Sequence, residues 1–169
     1  MAEEGEILWF SPEQRGLIPI DENFHIPHGL KRALRKKPFQ VKLDTAFRAV
    51  MEGCSEREET WIDPVIMNSY CQLHELGFAH SMECWDEDGL QGGLYGVALG
   101  KVFFGESMFS RKTDASKIAL VYLVEWMREN DYLLLDTQWM TQHLVQFGGM
   151  EVPREEYLVL LSEALQDLK

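Results

Sequence analysis

The stretch YLLLD, residues 132–136, leaves a chain few options. Four consecutive apolar residues give a strand no wet side, so it must lie in a sheet covered on both faces. Upstream, AHSMECW and LQGGLYGVALG alternate about the turn DEDG and predict a hairpin, with KVFFGES as a third strand. Between those strands and YLLLD runs a long helical pattern with Ile118, Leu120, Val121, Val124 and Met127 on its apolar face and Asp114 as its cap. Together these segments predict one α+β domain with a mixed sheet and helices packed on it.

The flanking segments fit that plan. Residues 1–27 carry Pro12, Pro19 and Pro27 with little periodicity and read as extended segments and loops. A basic helix is expected over 28–37 with Pro38 as its stop, and FQVKL reads as a short strand. Asp44 is placed to cap a helix that ends at Gly53, and Asp63-Pro64 gives a cap and a first-turn proline for the helix that Gly77 closes. TQHLVQFG and EEYLVLLSEAL complete the helices. GESMFSRKTDASK, residues 105–117, reads as a strand-to-helix connection with Met108 and Phe109 embedded among polar groups, the make-up of a small binding site.

Charge excludes some functions and localises others. A net charge of −12 argues against whole-surface attraction to nucleic acid or to anionic lipid. Yet Lys31, Arg32, Arg35, Lys36 and Lys37 gather in seven positions, and two readings stand for them: a solvated helix face or a local phosphate-binding patch. Cys54, Cys71 and Cys84 are odd in number and lack CxxC spacing, which points to a reducing, cytosolic compartment without disulfides. No apolar run is long enough to span a membrane, and neither GxGxxG nor GxxxxGK[ST] occurs. His25 and His28 are spaced to share a metal, but no cysteine or carboxylate cluster accompanies them, so no metal site is expected. His143 reads as structural.

Three residues carry candidate chemistry. Asp136 directly follows the buried strand, where desolvation would make its carboxylate a better base; the competing reading is a cap for the short helix after it. Gln138 falls on the same side of an extended chain as Asp136, and an acid beside an amide can orient an amine and relay a proton. Glu106 ends a second strand, and either meets Asp136 across a cleft or pairs with Arg111 or Lys112.

The segments HIPHGLKRALRKKPFQV, AFRAVMEGC, TWI, YCQLHELGFAHSMECW, GGLYGVALG, FFGESMFSRKTDASKIAL, LLLDTQ and HLVQFGGMEVPR, in this order, resemble the leucyl/phenylalanyl-tRNA–protein transferase family. GESMFSR followed by DASK, with a D-x-Q strand end downstream, is a highly specific combination.

The resemblance implies a catalytic domain with the GNAT acetyltransferase fold over residues 39–169, preceded over 1–38 by an extended segment and the basic helix. It implies transfer of Leu or Phe, and Met less well, from aminoacyl-tRNA to the N-terminal Arg or Lys of proteins, which feeds the N-degron degradation pathway, with no cofactor, metal, DNA or membrane partner. By position it makes Asp136 and Gln138 the catalytic acid–amide pair and Glu106 a site acid. It places Leu94, Phe103, Met108, Ser110, Leu123, Leu135 and Trp61 around the aminoacyl side chain, and Lys31, Arg32, Arg35, Lys36 and Lys37 on the tRNA-binding helix. The family's D-C-Q is Asp136-Thr137-Gln138 here, and a Ser-Arg before the basic helix is Pro27-His28. Set against the family's usual pattern, the chain is expected to start almost at the ILWFSP segment and to lack the small N-terminal domain that precedes it. Two other readings stay open: an acyltransferase with a smaller, tRNA-independent donor, and a non-catalytic adaptor.

Overall fold

The structure, a computed structural model, describes residues 13–57, 63–138 and 140–166. In chain order its elements are β1 (Gln14–Ile18), α1 (His28–Arg35), β2 (Gln40–Leu43), α2 (Phe47–Arg57), α3 (Pro64–Glu75), β3 (Ala79–Asp86), β4 (Gly89–Leu99), β5 (Val102–Ser110), α4 (Ala115–Glu129), β6 (Leu134–Gln138), α5 (Gln142–Val145), β7 (Met150–Pro153) and α6 (Arg154–Ala164). One seven-stranded sheet has the order β2-β3-β4-β5-β6-β1-β7. All neighbouring strands pair antiparallel except β5 and β6, which are parallel because α4 carries the chain back across the sheet.

YLLLD enters the sheet only from its third residue: Leu134, Leu135 and Asp136 are buried in β6, whereas Tyr132 is half-buried and Leu133 is exposed ahead of the strand. On one face α4 buries Ile118, Ala119, Leu120, Leu123, Val124 and Met127 against Met82, Leu94, Phe103 and Leu135, and Leu30 of α1 joins that cluster. On the other face α2 and α3 close over Tyr95 and Phe109. Farther along the same face Tyr157 and Ala164 of α6 pack with Leu17, Val102 and Leu134. The two ends of α3 form as expected. The Asp63 carboxylate accepts from Ile66 N at 2.8 Å with Pro64 behind it, and Gly77 ends the helix at a φ of 89°.

Several expectations change. Residues 105–110 of the supposed connection are strand, because they pair in register with β4 from Gly96 to Gly92. Asp44 does not cap α2: it sits at a φ of 60°, and its carboxylate takes the Ser81 N–H at 2.9 Å and the His80 ring at 2.7 Å. The start of α2 belongs instead to Glu83, fully buried, which accepts from Thr45 N and Ala46 N at 3.0 Å each and also from the Thr45 hydroxyl. That helix continues past Gly53 to Arg57. Asp114 stands at the cap position of α4 without a side-chain bond, and the Ser110 hydroxyl accepts from Ser116 N at 2.8 Å in its place. The basic helix stops at Arg35, with Lys37 already left-handed at a φ of 47°. β1, in a segment read as extended pieces and loops, and β7, in a stretch given no element, add two strands beyond β6.

Candidate active site

The site exists because two parallel strands part. The β5–β6 ladder runs through Val102↔Leu134, Phe103↔Leu135 and Phe104↔Asp136, and then ends. β5 continues from Gly105 to Ser110 against β4, while β6 turns to pair with β1 through Asp136↔Leu17 and Gln138↔Gly16. A fork between neighbouring strands leaves backbone and side chains of both facing a gap, which the N-terminal turns of α4 and the short α5 wall in.

The resulting cleft encloses about 340 Å³ and is lined largely by apolar groups, among them Leu94, Met108, Leu120, Leu123, Leu135 and Phe147. Its polar lining comes from Glu106, Ser107, Ser116, Lys117, Thr137, Thr141 and His143. A β-bulge sets which residues of β5 reach it. Tyr95 pairs with Ser107 and Gly96 with Gly105, so Glu106 has no partner across the ladder. The extra residue flips the alternation, which is why Phe103 and Met108, an odd number apart, pack in the same cluster. Gly96 is required opposite the bulge: a Cβ there would lie 2.2 Å from the Phe104 carbonyl oxygen.

Glu106 is the only carboxylate lining the cleft among the described residues. Burial pushes its acid above the ordinary glutamate range. A hydrogen bond from Tyr70 of α3 opposes this, the nearby Asp136 charge adds to it, and Arg15 works against it. No ion pair forms with Arg111 or Lys112, since Arg111 binds Glu56 at 3.2 Å and Lys112 binds Asp86 and Asp88 at 2.5 and 2.8 Å.

Asp136 is fully buried and faces away from the cleft, toward α6. Its carboxylate accepts from Arg15 Nε at 3.1–3.2 Å, from an Arg15 terminal nitrogen at 2.8 Å, from the Tyr157 hydroxyl, and from Gln138 N at 2.7 Å. A carboxylate with its lone pairs this fully engaged anchors its neighbours, and so it does not reach into the cleft as the expected base. It does not cap α5 either, because the Thr141 hydroxyl accepts from Leu144 N at 3.3 Å. Gln138 ends β6 half-buried, at a φ of 67°.

Of the expected side-chain pocket, Leu94, Met108, Leu123 and Leu135 line the cleft together. Phe103 lies beneath it in the core, with its ring 6.3 Å from that of Trp126, and Ser110 is engaged at the start of α4. Trp61 lies outside the described residues. His143, read as structural, lines the cleft, as do Lys117 and Thr137, which sequence reasoning passed over. Arg15 and Tyr157 were also missed; the one available signal was an arginine in a segment that otherwise turns apolar.

On the same side of the sheet, α1 packs against α4 through Leu30, with Ala33 and Leu34 half-buried. Lys31, Arg32, Arg35, Lys36 and Lys37 carry the opposite, outward side of α1 and the turn after it, and none forms an ion pair among the described residues. Among the described residues no three His, Cys, Asp or Glu side chains group to hold a metal ion, and no helix is long and apolar enough to cross a membrane.

Comparison with known proteins places this geometry. The fold matches a crystal structure of FemX with a TM-score of 0.64 at 11% identity, over 86% of this chain and 60% of that one. The structure of L-PGS from Bacillus licheniformis matches with a TM-score of 0.54 at 11% identity, over 90% of this chain and 65% of that one. An aminoglycoside acetyltransferase from a soil metagenome matches with a TM-score of 0.50 at 8% identity, over 79% of this chain and 90% of that one. The fold is therefore GNAT-like. In sequence, the chain is 62% identical to a leucyl/phenylalanyl-tRNA–protein transferase of Akkermansia muciniphila over 98% of its own length and 87% of that protein's. It is 51% identical to one from Herpetosiphon aurantiacus over the same shares. The family model described as leucyl/phenylalanyl-tRNA protein transferase matches residues 17–162, and the chain belongs to that aminoacyltransferase family.

Proposed function

We propose that this protein moves Leu or Phe, and Met less well, from aminoacyl-tRNA to the N-terminal Arg or Lys of acceptor proteins in the cytoplasm, marking them for N-degron degradation. The observation that carries the reading is the fork between β5 and β6, which sets one half-buried acid, Glu106, in a mostly apolar cleft. Leu94, Met108, Leu123 and Leu135 hold the aminoacyl side chain, and discrimination between Leu and Phe is modest because a methylene in an apolar pocket is worth only about 1–3 kcal/mol. The basic face of α1 takes tRNA phosphates close to the cleft.

The chemistry asked of the protein is small. An N-terminal α-amine titrates near pH 8, so part of it is neutral at pH 7. It attacks the ester carbonyl; the C–N bond forms, the ester C–O bond breaks, and the terminal ribose oxygen leaves. Glu106, a stronger base for its burial, takes the amine proton, and the ribose oxygen is reprotonated through the same acid. The Gln138 amide orients the amine, and Asp136 acts through Gln138. Because the ester is already activated, holding donor and acceptor in register supplies much of the acceleration.

The test is incubation of the purified protein with labelled Leu-tRNA or Phe-tRNA and acceptors beginning with Arg, Lys or Ala. Label is expected on the Arg and Lys acceptors only. Binding of tRNA without product would make the chain an adaptor. No transfer from aminoacyl-tRNA, together with acylation of the same acceptors from a smaller donor, would make it an acyltransferase of another kind. Either result overturns the reading.

A further inference from the structure

The group that fixes Asp136 is assembled from three distant parts of the chain. Arg15 comes from β1, 121 positions before Asp136, and Tyr157 from α6, 21 positions after it. Arg15 is only 14% exposed in its side chain and grips the carboxylate through two of its nitrogens, a planar match that an ammonium group cannot make. Its guanidinium also lies 4.7 Å from the centre of the Tyr157 ring, so each of the two partners holds the other in place.

What the carboxylate does with its remaining capacity is specific. One oxygen accepts the Gln138 N–H at 2.7 Å and holds Gln138 at a φ of 67°. A side-chain-bearing residue adopts that left-handed conformation only at an energetic cost, and it persists where the surroundings over-determine it. The β1–β6 register slips between Gly16 and Leu17, where Gly16 faces Gln138, so backbone pairing alone does not fix this residue.

We propose that Arg15 and Tyr157 are positioning residues: they clamp Asp136 so that it fixes the strand end of β6, where Thr137 lines the cleft and Gln138 follows it. The inference rests on the transfer reading given above. Neither residue is among those that line the cleft, and both act on it through Asp136. Loss of the clamp lowers turnover and leaves substrate affinity in place.

Tyr157→Phe is the decisive variant, because it keeps the ring, its packing and its stacking on Arg15 while removing one donor. It is compared with wild type in transfer kinetics, at a temperature where both are folded, and by the amide proton shift and hydrogen exchange of Gln138. The expected result is a kcat lower by about tenfold with both KM values unchanged within about twofold, and a Gln138 amide that shifts and exchanges faster. Arg15→Lys moves the same readouts in the same direction, and Arg15→Gln regains turnover with added guanidinium. An undiminished kcat in Tyr157→Phe, or an unmoved Gln138 amide, overturns the clamp alone. Wild-type protein that transfers nothing to any acceptor overturns the functional reading and the clamp with it.

Discussion

Glu106 is half-buried and Glu83 fully buried, and their surroundings give the two acids opposite tasks. Burial holds the Glu106 carboxyl above the ordinary range, so ionising it costs the folded state. The stability it lends is complete below the ordinary glutamate pKa and is lost as pH rises through the raised one. Glu106→Gln is therefore expected to unfold at a higher temperature than wild type at pH 7. That gain should shrink to nothing as the pH falls below the ordinary range, as calorimetry at several pH values would read. The same substitution should lower kcat/KM by about 10²-fold and remove its acid limb. Glu83 instead meets donors on every side: Thr45 N, the Thr45 hydroxyl, Ala46 N, the Ser81 hydroxyl at 2.5 Å and Trp85 Nε1 at 3.2 Å. Glu83→Ala strands these donors in the core, and a urea titration should find the protein about 3 kcal/mol less stable or worse.

At the scale of elements, α1 separates binding from folding. Its basic residues face outward while Leu30 alone anchors it deeply. Replacing Lys31, Arg32 and Arg35 by Gln should leave the melting temperature unchanged. For every phosphate that the protein no longer neutralises, the log–log dependence of tRNA affinity on salt should become shallower by about one. Much at this scale was legible in the chain. The long pattern after Asp114 and the alternation around DEDG each carry a period that only one element satisfies, while the unbroken apolar run of YLLLD marked a buried strand two residues too early. β1 and β7 were not legible, because QRGLI and MEVP are too short to show a period and become strands only by pairing with each other and with β6. The bulge at Glu106 was hidden for a related reason: a shift of alternation inside GESMFS looks like the end of a strand. Leu94, Met108, Leu123 and Leu135 of the cleft came from the family resemblance, since an apolar residue on a strand or helix reads locally as core. The partners of Asp136 did not, because nothing local in the sequence links positions 15, 136 and 157.

For the whole molecule, covering the sheet on both faces sorts the cysteines. Cys54 and Cys84 are buried, and burial, with the Glu83 charge behind it, pushes the Cys84 thiol up to about 12. Cys71 on α3 is partly exposed. Iodoacetamide should therefore alkylate Cys71 alone in native protein and all three cysteines in urea, with intact-mass spectrometry as the readout. The three-part clamp also bears on how the protein is made. Synthesis is vectorial, so Arg15 leaves the ribosome long before Asp136, and Tyr157 leaves after both. A nascent chain can have built β6 and its neighbours while the Asp136 carboxylate still waits for the hydroxyl that completes its shell. A polypeptide released before α6 thus carries nearly all of the cleft and none of that final bond. Emergence of α6, more than collapse of the core, marks the moment at which the strand end is set.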